Sequence, residues 1–355
     1  MSELHVVVPD GVDDPARPSG GNTYDRHVCR GLSALGWSVH EHAVAGSWPR
    51  RDTASLAWLA DAVRRMPDGA VVLLDGLVAS TAPEVLVPEA HRVRLVMLVH
   101  MPLGHRPADD GAADIRMRER AVLSAAAAVV TTSVWTRRRL LELYVLPADR
   151  VHVAEPGVDR AELAAGTAAG GSLLCVAAVT PAKGHDVLVD ALSRMRGLPW
   201  RCVCVGSLDR DPVFVASLGR RLLDVRLQDR VSFTGSLTGA ELDRRYAAAD
   251  LMVLASRAET YGMVVSEALA WGVPVVAAEV GGVTDAVGQG TDGIRPGLLV
   301  PPDDPEALGA ALRAWLGDVE LRARLRRAAS ERRKSLPRWS TTTSVIAGVL
   351  AGVSR

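Results

Sequence analysis

Residues Asp250–Glu279, DLMVLASRAETYGMVVSEALAWGVPVVAAE, decide how the rest of the chain is read. Leu251–Ala255 is a short apolar run of the length expected for a strand buried on both faces. Ser256–Tyr261 reads as a polar loop. Gly262 opens a helix, and Gly272 stops it before a second apolar run, Val273–Ala278. Two carboxylates bracket the helix start, Glu259 on the loop and Glu267 on the helix. A helix N-terminus presents unpaired N–H groups and a partial positive charge, which suits a phosphate. Glycine at 262 lets a ligand approach the backbone without meeting a Cβ. The carboxylates can then accept hydrogen bonds from hydroxyls on either side of the phosphates. A nucleotide-sugar, with its ribose, diphosphate and hexose, has that layout.

The chain has 355 residues, beyond the usual limit for one core, so two domains are expected. Hydrophobic content of 48% excludes a disordered chain, and zero net charge points away from nucleic acid or a polybasic membrane grip. No apolar run reaches the length of a bilayer span, and LHVVV near the start is strand-like rather than a signal peptide. A soluble, cytoplasmic protein is the expectation. Cys29, Cys175, Cys202 and Cys204 lack metal-ligand spacing and read as buried thiols in a reducing compartment. Lys183 and Lys334 are the only two lysines, a bias towards arginine like that of a GC-rich bacterial genome.

From the N-terminus, Leu4–Val8 is a strand, and a loop rich in Pro, Asp and Gly follows from Pro9 to Gly21. Asn22 or Thr23 is placed to cap a helix that runs to about Leu35 and ends at Gly36. Gly20 and Gly21 then sit between strand and helix, as a plain turn or as a close approach for phosphate or sugar; no GxGxxG follows the strand. Val39–Val44, Ala70–Asp75, Arg94–His100 and Ala128–Thr132 read as further strands, with helices at Asp52–Arg65, Asp114–Ala126 and from Val134. His100 ends its strand, where ligands gather in parallel α/β sheets. Arg137–Arg139 reads as a solvated face, and Asp13–Asp14 and Asp109–Asp110 as solvated turns without further metal ligands. The small-residue stretch AELAAGTAAGG, 161–171, is the candidate domain linker.

A second strand–helix series follows. Its strands are Leu173–Val179, Arg201–Gly206, Val231–Gly235, Leu251–Ala255, Val273–Ala278 and Leu298–Val300. Its helices lie at His185–Met195, Asp211–Leu227, Gly239–Ala248, Met263–Trp271 and Val283–Val287. Such alternation predicts a parallel sheet covered on both faces. Lys183 falls after the first of these strands, where a flexible ammonium suits a mobile diphosphate. Gly281–Gly282 make a second candidate anion-facing turn. Beyond Pro301 the chain reads as helical, at Pro305–Leu316, Val319–Lys334 and Thr341–Val353, with Trp339 as a packing anchor.

The ordered motifs resemble those of the family 4 glycosyltransferases (glycosyl transferases group 1), retaining enzymes of GT-B fold, and the resemblance covers nearly the whole chain. Glu259 and Glu267 form an E-x7-E pair within SRAETYGMVVSEALAWGVPVV. Gly20–Gly21 resemble the N-terminal glycine loop and TPAKGHDVLVDAL the lysine motif. AEPGVD resembles the entry to the second domain, and EVGGVTDAV with GLLVPPDD the later glycine motifs. The resemblance implies α/β architecture with two Rossmann-like parallel-sheet domains facing a central cleft. The acceptor domain would span 1–160, the nucleotide-sugar domain 161–336, and a C-terminal helix, 337–355, would cross back to the first. It also implies Glu259 on hexose hydroxyls, Glu267 on the ribose diol, and Lys183 on the diphosphate. The backbone through Thr260, Tyr261, Gly262, Met263 and Val264 would share that diphosphate, with Gly20 and Gly21 against phosphates or sugar and His100 near the anomeric centre. No metal or other cofactor is implied for transfer, and retention is explained by front-face attack. The pattern is broken at Ala178, where an arginine is usual. Arg257 either substitutes for it or pairs with a neighbouring acid. Asp285 stands where a glutamate is usual.

A glycosidase pair is a poorer fit, because retaining hydrolases hold their carboxyls about 5–5.5 Å apart. Glu267 lies eight residues beyond Glu259 along a mostly helical stretch, roughly 12 Å at ~1.5 Å per residue. The expected function is therefore hexosyl transfer from a nucleotide-diphosphate sugar to a small-molecule or saccharide acceptor. The alternative is a non-catalytic GT-B subunit that binds or activates a partner transferase. Peripheral membrane contact stays open in this reading, but no basic amphipathic helix favours a lipid acceptor.

Overall fold

A computed structural model describes residues 2–14, 18–105 and 112–354. Asp109–Asp110, and parts of the loops expected to shape an acceptor site, lie outside the described residues. The chain divides into two compact units. One comprises residues 2–14, 19–157 and 337–354; the other comprises Pro18 and 158–336.

In the first unit the strands are β1 (Glu3–Pro9), β2 (Ser38–Val44), β3 (Val71–Asp75), β4 (Arg94–Val99), β5 (Ala128–Thr131) and β6 (Val151–Val153). They form one parallel sheet in the order β2-β1-β3-β4-β5-β6. β3 is buried along its whole length, which explains its unbroken VVLL run. Because the chain visits β2 on one side of β1 before crossing to β3, the order reverses between β1 and β3. Ligand crevices in such sheets open at this switch point, beyond the strand C-termini.

The second unit repeats the plan. β7 (Ser172–Val176), β8 (Arg201–Val205), β9 (Val231–Phe233), β10 (Leu251–Leu254), β11 (Val275–Ala278) and β12 (Gly297–Val300) pair in the order β12-β11-β10-β7-β8-β9, all parallel. Here the switch point lies between β7 and β10.

Several boundaries differ from the sequence reading. The first helix is Gly20–Ala34, and its cap is Ser19, whose hydroxyl accepts from the Asn22 N–H at 3.0 Å. Gly20 and Gly21 therefore belong to the first helical turn rather than to the loop before it. Two helices, Gly76–Ala79 and Pro83–Glu89, fill a segment left unassigned from sequence. The stretch 161–171 is not a free linker. Asp250, buried at the start of β10, accepts bonds from the Thr167 N–H and hydroxyl, from the Ser172 N–H at 2.8 Å and from Arg326. Those bonds fasten the stretch to the second unit, and the change of unit comes earlier, after Gly157.

The last helix, Trp339–Val353, packs on the first unit. Ile346 and Leu350 enter the core beneath β1, and Trp339 stacks on His27 with centroids 4.0 Å apart. No helix among the described residues is long and apolar enough to cross a membrane.

Candidate functional site

At the switch point of the second unit, the loops after β7 and β10 are joined by backbone and side chains together. Gly184 takes φ +65°, and a Cβ there would fall 2.0 Å from the Ala255 carbonyl oxygen, so only glycine lets the two loops approach. The Arg257 N–H donates to the Ala182 carbonyl at 2.8 Å. Lys183 and Glu259 meet across this seam, Nζ to Oε1 at 2.6 Å, and the Ser256 hydroxyl donates to the same oxygen at 2.8 Å. The cation and the first carboxylate of the E-x7-E pair are thus in direct contact.

Arg257 is engaged close by. Its guanidinium holds Asp186 through two nitrogens, at 3.0 and 2.8 Å, and also bonds Asp303 at 2.5 Å and the Pro181 carbonyl. The bond to Asp186, with help from Asp303, raises the guanidinium above its ordinary value. Of the two sequence readings of Arg257, this is the pairing with neighbouring acids.

Helix Met263–Ala270 starts at Gly262 with no side-chain cap, leaving its first N–H groups for another partner. Tyr261 turns its ring into the core, where its oxygen accepts from the Ser266 hydroxyl at 3.2 Å, so it offers the surface its backbone. Met263 and Val264 pack on the same core. Glu267, one helical face on, accepts from the Tyr246 hydroxyl at 2.7 Å. Burial pushes its carboxyl up, with the Tyr246 bond opposing. Gly281 and Gly282 are required by a close backbone approach. Cβ atoms there would fall 1.5 Å from the Glu259 carbonyl oxygen and 2.4 Å from that of Thr260, so the pair lets the Glu259 loop lie against the next segment.

The first unit builds its own cluster at its switch point. His100 follows β4, Asp75 ends β3, and Asp25 lies on the helix after β1. His100 Nε2 is 2.8 Å from Asp25 Oδ1 and 3.8 Å from Asp75 Oδ2. Asp25 is 3% exposed and His100 17%. Burial works to lower the imidazole pKa, but the Asp25 charge and hydrogen bond, with Asp75 behind them, outweigh it and raise it. Asp75 is itself pushed up to about 7, by burial first and then by the charge of Asp25. The Asp25 Oδ2 atom is buried without a hydrogen-bond partner. Gly21 lies against this ring, since a Cβ there would touch His100 Cδ2 at 3.4 Å. Such a cluster can orient an imidazole and hold a proton on it.

The turn after His100 is held from below by Glu119. This buried carboxylate accepts from the Leu103 N–H at 2.9 Å, the Gly104 N–H at 2.8 Å, the Ser80 hydroxyl at 2.9 Å and the Tyr144 hydroxyl at 2.5 Å. Asp25, Asp75, Asp186 and Tyr246 went unremarked as site neighbours in the sequence. Asp75 ends a strand just as His100 does, and Asp25 is one helical turn after Gly21, so the same positional rule could have found both. Nothing in the local sequence marks Tyr246 or Asp186.

Comparison with known proteins gives the family and the fold. Two family models match in order: Glycosyltransferase Family 4 over residues 18–162 and Glycosyl transferases group 1 over residues 170–318. The chain belongs to glycosyltransferase family 4. Among curated family members, the D-inositol 3-phosphate glycosyltransferase of Jonesia denitrificans is 32% identical over 249 residues, which are 64% of this chain and 58% of the relative. That of Kineococcus radiotolerans is 34% identical over 248 residues, 63% of this chain and 57% of the relative. The chain thus spans less than two thirds of the length of these relatives. Among solved structures, sucrose-phosphate synthase from Thermosynechococcus elongatus matches with a TM-score of 0.81 at 21% identity, covering 99% of both chains. Anabaena HepE in complex with UDP and glucose matches with a TM-score of 0.76 at 18% identity, over 99% of this chain and 100% of that one. At these identities the likeness is one of fold: α/β, GT-B, with two parallel-sheet units.

Proposed function

We infer that this family 4 chain is a glycosyltransferase that moves a hexose from a nucleotide-diphosphate sugar to a small-molecule or saccharide acceptor, with retention and without a metal in the transfer step. The observation that carries the reading is the Lys183–Glu259 contact, 2.6 Å, at the second unit's switch point, beside the uncapped start of helix Met263–Ala270. In this reading the donor's diphosphate takes over the Lys183 ammonium and the N–H groups around Gly262, Met263 and Val264. That change frees Glu259 to accept hydroxyls of the hexose. Glu267, held by Tyr246, accepts the ribose diol. Fixed donors on the departing diphosphate are where preorganised electrostatics lower the barrier most. His100, fixed by Asp25, serves the anomeric centre, and Gly20–Gly21 leave room beside it. The departing phosphate accepts the acceptor's proton in a front-face attack. D-inositol 3-phosphate, named in the curated relatives, is the first acceptor to try.

Thermal-shift screening against nucleotide-sugars tests the donor, followed by transfer assays with the stabilising one. A clear preference for one nucleotide-sugar supports the reading; equal stabilisation by several nucleoside diphosphates with no effect of the sugar refutes a specific donor. The second reading, a non-catalytic subunit, draws on Ala178 and on Arg257 being occupied by Asp186 and Asp303. Slow donor hydrolysis by the purified chain alone separates the two, because a pure scaffold gives none.

A further inference from the structure

The four cysteines lack any metal-ligand spacing along the chain, yet sheet register brings two of them together. Cys175 on β7 pairs directly with Cys204 on β8. His185, the first residue of helix His185–Ser193, closes over them, with Nε2 3.8 Å from Cys175 Sγ. One ligand atom from each of the three lies within 4.8 Å of the other two, and all three residues are at most 2% exposed. The surroundings are apolar, with Leu188, Leu251 and Val253 in the same core cluster. In this dry setting His185 Nδ1 has no hydrogen-bond partner. Nε2 is the nitrogen that meets the Cys175 thiol, so it is the ligand atom the ring offers to this cluster.

We propose that Cys175, Cys204 and His185 bind one thiophilic d10 cation, Zn2+ or Cu+, as a structural site in the core of the second unit. Thiolate and imidazole are the donors both ions favour. Two thiolates and a neutral imidazole balance Zn2+ to zero net charge, which suits a site without water. Cu+ is instead favoured by the coordination number, since it accepts three soft donors. Binding takes the proton from each thiol that becomes a ligand and releases it to solvent. The ligands tie β7, β8 and the helix that follows the Lys183 turn.

The test is metal binding by the full chain, purified reduced. Metal content is measured, and metal-free protein is then titrated anaerobically with Zn2+ and separately with Cu+, each against a chromophoric chelator. Cobalt substitution supplies a spectroscopic signature. One cation per chain is expected, with a raised thermal midpoint and a thiolate-to-cobalt charge-transfer band. The stronger competitor in the titrations names the ion. Cys204→Ser and His185→Gln should each weaken binding at least ~100-fold, more than the 10–100-fold typical of outer-shell changes, while Cys202→Ser retains it. Binding undiminished in Cys204→Ser, or lost equally in Cys202→Ser, overturns the ligand set. If the ligand variants fail to fold, the wild-type spectra decide: neither a thiolate-to-cobalt band nor an ultraviolet thiolate-to-Cu+ band on titration means no site.

Discussion

Glu119→Ala should be among the most damaging single substitutions in the first unit. The side chain has no exposure and accepts four hydrogen bonds, from Ser80, Leu103, Gly104 and Tyr144. Removing it leaves two backbone N–H groups and two hydroxyls without their shared acceptor in a buried position. Each stranded buried donor costs about 1–3 kcal/mol. The hydroxyls can rotate towards other acceptors, but the Leu103 and Gly104 amides are fixed in their turn. The sum after such relaxation is about 3–5 kcal/mol, the scale seen when one partner of a buried charged network is removed. Glu119→Gln should cost less, because its carbonyl still accepts while its amide meets a donor. Urea unfolding supplies the energy, and hydrogen exchange of the Leu103–His105 turn shows whether the loss is local. A Glu119→Ala protein within about 0.5 kcal/mol of wild type, the range of an ordinary surface change, would refute the argument.

Other expectations are equally specific. Lys183→Ala should weaken binding of the preferred nucleoside diphosphate ~10–100-fold by calorimetry, the size of one lost charge-assisted contact; unchanged affinity and turnover would remove Lys183 from the site. Gly281→Ala, with φ +55° and the Glu259 carbonyl in the way, should destabilise the second unit by about 2–4 kcal/mol. Gly69→Ala, at φ +78° in open space, should cost only the ~1–2 kcal/mol of left-handed backbone, and equal losses in the two melts would contradict the packing account. For His100, the sign of the pH effect follows from Asp25 raising its pKa. The stabilisation is complete below the ordinary imidazole value and is lost as pH rises through the raised one. Asp25→Asn should therefore lower the His100 titration midpoint in a proton NMR series and flatten that part of the stability profile. An unmoved midpoint would show that Asp25 does not set it.

The strands were the legible part of this chain. Runs such as VVLL in β3 and LMVL in β10 announce themselves because both faces are buried, and the repeated alternation implied the parallel sheets that are observed. Helix Pro83–Glu89 escaped because prolines at 83 and 88 read as breakers, although the first stands at the helix start, where proline is tolerated. The cap at Ser19 escaped because two glycines in a first turn look like loop. The stretch 161–171 looked like a linker by composition; its attachment depends on Asp250, some eighty residues away, and no local pattern reports such a bond. The candidate site divides in the same way. Lys183, Glu259 and His100 lie in or at the loops that follow strands, where position alone draws attention, and Glu267 is marked by its spacing from Glu259. Asp25, Glu119 and Tyr246 act through tertiary contacts, as does the register that sets Cys175 against Cys204.

The packing of helix Trp339–Val353 makes the second unit an insertion within the first. The two ends that flank it meet: a Cβ on Gly157 would fall 2.1 Å from the Trp339 N atom, and the Thr342 hydroxyl donates to the Glu155 carbonyl at 2.7 Å. On the ribosome the first sheet is finished early, yet Ile346 and Leu350 of its core arrive only after the whole second unit has emerged. The first unit must therefore wait, with the apolar surface beneath β1 uncovered, while its guest folds. The same adjacency means that a short loop from Gly157 to Pro337 would splice the guest out and leave the host's ends where they already are.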